Sequence, residues 1–223
     1  MIRLDILSDI ACPWCFLGKA ELDRALAARP GHPFAVEWHP FRLHPGLPPG
    51  GIDRQDYLAS RFGGADEVRR VHAPLLERAA ALGIGLDLAA IRRTPQTLDA
   101  HRLIHWAGLE GCQTAVVGAL FRAYWCAGRD IGDPATLAAI AADNGMDRAV
   151  VLRLLAGAAD RDLILAREAH SRDRGVSAVP TFVIAGRHVL QGLQPAATWT
   201  AVIDELAALP PDGADAALAG DGP

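Results

Sequence analysis

The sequence predicts an α/β protein whose sheet-forming segments are separated by a large all-helical insertion. Three observations carry this expectation: a β-α-β pattern in the first 40 residues, a long Ala/Leu/Arg-rich helical stretch in the middle, and a β-β-α pattern after Gly175. A length of 223 residues fits one domain with an insertion, or two small domains sharing a core.

Residues 2–7 read as a first strand. From Cys15 or Phe16 to Ala28, the residues Leu17, Leu22, Ala25 and Leu26 give an approximately helical stripe, and Arg29-Pro30-Gly31 ends it. Phe34–Trp38 is a second strand, and the intervening length suffices for a parallel crossover. A Pro/Gly-rich loop covers Pro40 to Gly51. Helical segments then follow at roughly 53–80, 97–108, 112–127, 134–142, 146–156 and 160–174. Asp133-Pro134 has the form of a helix start, with Asp as N-cap and Pro in the first turn. Beyond Gly175 the pattern returns to sheet: Thr181–Ile184, a turn through Ala185-Gly186-Arg187, and His188–Gln191. A last helix runs from Pro195 to about Leu209.

Hydrophobic residues make up 51% and charged residues 22%, the balance of a globular protein. The formal net charge of -4 supplies no basic field for nucleic acid. Asp5 and Asp9 interrupt the first apolar run before it forms a targeting core, and no window reaches the roughly 18 apolar residues of a membrane span. The expected location is the cytoplasm, with neither membrane nor nucleic acid as partner. There, cysteine pairs tend to be catalytic or metal-binding, and four cysteines are too few for a disulfide scaffold.

The chemistry centres on "CPWC" at 12–15, where a strand runs into a helix. A first-turn position lets helix amides and dipole stabilise a thiolate on Cys12. Cys15, one turn on, can resolve a mixed disulfide on Cys12 intramolecularly. Cys12 is expected to be the more exposed nucleophile and Cys15 the shielded resolver, with Trp14 near the surface, covering a partner. Zinc would need further ligands. Cys112 and Cys126 form no second close pair and read as small hydrophobes within one buried helix. Dithiol redox chemistry is therefore the preferred reading and a structural pair its alternative; no metal is expected. Pro180, before Thr181, adds a second signal. If its bond to Val179 is cis, the turn presents the Val179 backbone beside the sulfurs, where a peptide or thiol ligand can pair with it. Glycine spacings for nucleotide binding and a G-x-S-x-G elbow are both missing from the sequence.

The "CPWC" pair, "GVSAVPTFVI" at 175–184 and the order of elements resemble a thioredoxin fold with a helical insertion, as in the DsbA-like family. "TLDAHRLIHWAG" at 97–108 is similar to a helical segment of the FrnE-like branch. The resemblance implies a thioredoxin-like domain at 1–50 and 172–210 and a helical insertion domain at 51–171, while the small, acidic, Gly/Pro-bearing residues at 211–223 read as a flexible tail. It implies Cys12 as attacking thiol, Cys15 as resolving thiol, Pro180 as a cis-proline facing them and Val179 as its backbone-pairing neighbour. Asp99, Ala100, His101 and Arg102 match a D-A-H-R segment beside the cleft, and His101 is a candidate for substrate contact or for packing at the domain interface. Arg102 is open between Asp99 and an anionic ligand. Trp38 and Phe41 either line the cleft or pack the insertion onto the core.

The implied activity is that of a thiol–disulfide oxidoreductase acting on a disulfide- or thiol-bearing protein or small molecule. The alternative is a glutathione-dependent isomerase or transferase for small aromatic or polyketide-like substrates. Relatives of that second kind usually carry serine at the position of Cys12, so two cysteines favour exchange. No bound cofactor is expected; glutathione is implied as redox partner or cosubstrate, and a homodimer is implied by resemblance alone.

Overall fold

The computed structural model describes residues 1–208. In chain order the elements are β1 (Ile2–Ser8), α1 (Pro13–Ala28), β2 (Phe34–Pro40), β3 (Ile52–Asp53), α2 (Arg54–Phe62), α3 (Ala65–Ala81) and β4 (Arg93–Thr94). They continue with α4 (Leu98–Leu109), α5 (Gln113–Trp125), α6 (Pro134–Asp143), α7 (Arg148–Ala156), α8 (Arg161–Asp173), β5 (Thr181–Ile184), β6 (His188–Gln191) and α9 (Ala196–Ala208). The expected helix end at Leu209, the domain limit at 210 and the tail at 211–223 lie outside the described residues.

The main sheet has the order β2-β1-β5-β6, with β1 parallel to β2 and antiparallel to β5. Alternation along the strands sends Leu4 and Ile6 to one face. Leu4 sits opposite Val36 and Ile184, and Ile6 opposite Trp38 and Phe182. Helices α1 and α9 pack on each other over this face. Trp199 of α9 is fully buried there, edge-on to Phe182 at 4.8 Å and to Phe34 at 6.4 Å between ring centroids. This is a thioredoxin-like α/β core carrying a large helical insertion.

The insertion shares its hydrophobic core with the sheet. Phe16 of α1 stacks on Phe121 of α5 at 5.3 Å. On the open edge of β2, Gln113 of α5 accepts from the Trp38 amide at 2.9 Å and donates to the Trp38 carbonyl at 3.1 Å, while the Trp38 indole donates to Thr114. Trp38 and Phe41 are thus packing residues, buried to 4% and 1% exposure. Asp53, Asp133 and Asp147 each cap a helix by accepting two backbone N–H bonds, worth about 1 kcal/mol per cap. Among the described residues no helix is long and apolar enough to cross a membrane.

Several local expectations are corrected. Helix α1 begins at Pro13, two or three residues earlier than the apolar stripe indicates, because proline is preorganised for the first turn and leaves Cys12 as N-cap. The segment at 53–80 is two helices, α2 ending at Gly63, whose left-handed backbone (φ 84°) stops the first. The insertion is not wholly helical. Ile52 pairs with Thr94 and Asp53 with Arg93 in a ladder too short to leave a periodic signal, and Arg93 also donates to the Gly51 carbonyl. Cys112 and Cys126 are the cap residues at the two ends of α5 and are only partly buried.

One glycine fixes how closely α1 meets β5 and the proline before it. A Cβ on Gly18 would stand 3.2 Å from Pro180 Cγ and 3.6 Å from Phe182 Cζ. Gly18→Ala is expected to destabilise the fold by about 1–3 kcal/mol through overpacking, and Gly18→Leu by more; urea unfolding monitored by circular dichroism measures both.

Candidate active site

The site forms where β1 hands the chain to α1. Strand β1 ends at Ser8, and the turn closes with the Cys12 amide donating to the Asp9 carbonyl at 3.0 Å. The Phe16 amide then donates to the Cys12 carbonyl, the first bond of the helix. Trp14 is 38% exposed, whereas Cys12 is 4% and Cys15 1% exposed. Cys12 is the more accessible sulfur, but it is covered. Its cover is the segment before β5: the Cys12 thiol donates to the Val179 carbonyl at 3.7 Å, and the Val179–Pro180 peptide is cis. Cys12, Cys15, Val179 and Pro180 are therefore gathered at one point.

The two thiols are unequal. Burial pushes the Cys15 thiol well above its ordinary value, and the hydrogen bond and charge of neighbouring Cys12 push it further. Two groups oppose this, the Asp9 backbone and the Ser8 hydroxyl. Ser8 is buried, and its Oγ has no hydrogen-bond partner.

Asp9 braces the turn from behind. Its carboxylate, 1% exposed, accepts from the Ala11 amide at 3.2 Å and from the Leu43 amide at 2.7 Å. His101 Nε2 of α4 lies 3.6 Å away and has no closer partner. Burial opposes the Asp9 charge most strongly, but His101, the Leu43 amide and Thr97 together outweigh it and hold the carboxyl below its ordinary 3.8. His101 is 3% exposed and faces this carboxylate, away from open surface. The insertion grips the turn again through Trp125, whose indole donates to the Ile10 carbonyl at 2.8 Å.

Arg102 is resolved as a structural residue. It pairs with Asp99 at 2.8 Å and donates to the carbonyls of Leu154, Gly157 and Ala159, closing the C-terminal end of α7.

Beside Trp14 opens a groove of 230 Å³ lined by Pro13, Trp14, His44, Arg54, Tyr57 and Trp125, among others. The Tyr57 hydroxyl and His44 Nε2 are 2.8 Å apart. Burial, with help from Arg61 and Arg54, keeps the His44 imidazole below its ordinary 6.5 and so neutral at pH 7. Sequence reasoning missed His44, Arg54, Tyr57 and Asp9 as site residues; they stand on separate segments with no shared spacing. A further group, Asp5, Glu37 and His39, brings possible metal-ligand atoms within 4.8 Å of one another on the other face of the sheet. Asp5 already pairs with Arg3 at 2.8 Å and with His39 at 2.7 Å, so its charge is compensated from within.

The chain matches the DSBA-like thioredoxin domain over residues 3–204 and belongs to that family. It is 31% identical to the probable DsbA oxidoreductase SCO1869 of Streptomyces coelicolor, with a TM-score of 0.81 covering 92% of this chain and 89% of that one. The uncharacterized protein YwbO of Bacillus subtilis (strain 168) is 27% identical over 192 residues, 86% of this chain and 90% of YwbO. The cytosolic disulfide reductase DsbM of Pseudomonas aeruginosa, solved with GSH, shares the fold at 20% identity and a TM-score of 0.63, covering 93% of this chain and all of its own.

Removing the brace should be costly. Asp9→Ala is expected to destabilise the fold by about 3–5 kcal/mol, because it leaves buried donors unpaired. In the wild type the Asp9 contribution is full at neutral pH. It declines as pH falls below the ordinary value of 3.8 and is lost below the depressed folded value. Urea midpoints from pH 7 to pH 3 test this: the difference between wild type and Asp9→Ala should shrink towards acid.

Proposed function

We propose that this protein is a cytoplasmic thiol–disulfide oxidoreductase of the FrnE-like branch, with Cys12 as nucleophile and Cys15 as resolving thiol. The observation that supports this best is the inequality of two adjacent free thiols, one meeting the Val179 carbonyl and the other deeply buried with a raised pKa. Cys12 thiolate attacks a substrate disulfide, forming a Cys12–substrate bond and expelling one substrate sulfur as a thiolate, which takes a proton. Cys15 then gives up its proton and attacks the Cys12 sulfur, releasing the second substrate thiol. The protein dithiol loses two electrons and two protons, and the substrate disulfide gains them; the reverse reaction oxidises a substrate dithiol.

The surroundings suit both half-reactions. When a substrate sulfur takes the place of the Cys12 proton, the Val179 backbone is free to pair with the bound partner, and exposed Trp14 can cover it. When Cys15 ionises, the unpartnered Ser8 hydroxyl acquires an acceptor, so its bond forms in the step that needs it. His101 acts in this reading as a positioning residue, through Asp9. The GSH held by DsbM makes glutathione the first small thiol to consider as a redox partner.

Cys15→Ser decides between exchange and the glutathione-dependent isomerase or transferase reading. Exchange is expected to lose multiple turnover and to accumulate a mixed disulfide on Cys12, visible as an adduct in the intact mass. Unchanged turnover of a thiol-dependent reaction by this variant would contradict the proposal.

A further inference from the structure

Arg54 is a buried cation with no counter-anion among the described residues. It opens α2, is 8% exposed, and lines the groove whose wall is formed by Pro13 and Trp14 of the cysteine motif. Its guanidinium carbon lies 5.5 Å from the Tyr57 ring centroid and 5.6 Å from that of Trp125. One long bond, 3.4 Å from Nη1 to Thr94 Oγ1, is its side-chain hydrogen bond, and among the described residues no carboxylate lies within ion-pair distance. A buried charge is costly unless paired, and aromatic faces offset only part of that cost. Most of its five N–H donors are left to meet something that enters the groove.

The charges around it favour an anion. Arg61 acts on the same groups from the far end of α2. His44 and His72 are held neutral at pH 7, chiefly by burial, with Arg54 adding to the effect. The carboxylate whose field reaches both His44 and Tyr57 is Asp9, and its oxygens are committed to the Ala11 and Leu43 amides. The groove is also close to the chemistry, since the charge of Cys12 is felt at the Tyr57 hydroxyl.

We propose that this groove is a carboxylate-recognition subsite, in which Arg54 pairs with an acid group of a low-molecular-mass thiol or disulfide while its sulfur meets Cys12. The inference rests on the dithiol-exchange reading above and names its substrate class. A planar guanidinium flanked by two aromatic rings is suited to bidentate carboxylate binding. The 230 Å³ volume is below the roughly 300–1,000 Å³ of sites that enclose a whole drug-sized ligand, so it takes the acidic end of a small thiol and leaves the sulfur outside.

The test has two arms. In the first, the wild type is titrated calorimetrically with S-methylglutathione and with its dimethyl ester; the acid is expected to bind about tenfold or more tightly. In the second, kcat/KM is measured for glutathione disulfide and for the uncharged bis(2-hydroxyethyl) disulfide. Arg54→Met is expected to lose about tenfold or more on the charged substrate and little on the uncharged one, with Arg54→Lys between wild type and Arg54→Met. Equal binding of acid and ester, or an equal loss on both disulfides, overturns the subsite. Should Arg54→Met not fold, the wild-type comparison of acid with ester decides alone. A wild type that exchanges neither disulfide overturns the dithiol reading instead, and the binding arm still reports on Arg54.

Discussion

Three segments distant in sequence meet at one buried carboxylate. Asp9 holds the cysteine turn through the Ala11 amide, the loop after β2 through the Leu43 amide, and α4 of the insertion through His101 and Thr97. An ionised group with 1% exposure is tolerated only where donors replace its water, and here they do so from three directions. Much of the site geometry follows from that constraint. The turn cannot shift without stranding a charge, so Cys12 stays at the helix cap and Trp125 stays bonded to Ile10.

The same arrangement underlies the two roles proposed for one pair of identical side chains. Residues one helical turn apart see different surroundings: Cys12 meets the Val179 carbonyl, while Cys15 is the more deeply buried of the two. Burial makes Cys15 a poor thiolate, and the hydrogen bond and charge of adjacent Cys12 act in the same direction. In the proposed reaction, order is set by position rather than by any special side chain between the cysteines. The close contact of Gly18 with Pro180 keeps the cover over Cys12 near enough to matter.

Much of the architecture was legible in the sequence because its signals are local. The strands at Ile2–Ser8, Thr181–Ile184 and His188–Gln191 are short β-rich runs bounded by turn residues, and α6 announces itself through Asp133-Pro134. The cysteine pair was legible for the same reason. The two-residue ladder of β3 and β4 carries too few residues for any period. The second half of the site was hidden for a different reason. Asp9, His44, Arg54 and Tyr57 are single polar residues on a turn, a loop and a helix, and only tertiary packing makes them neighbours. His101 illustrates the boundary: its segment drew notice, but that it faces Asp9 depends on how α4 packs.

The central claim is that Cys12 and Cys15 form a reversible redox couple. Equilibrating the purified protein across glutathione redox buffers, then alkylating free thiols and weighing the intact chain, tests it most directly. A single transition between a form with both thiols alkylated and one with both protected as an internal disulfide is the expected result. A Cys12 that stays reduced throughout, or stops at a stable glutathione adduct with Cys15 still free, would contradict it.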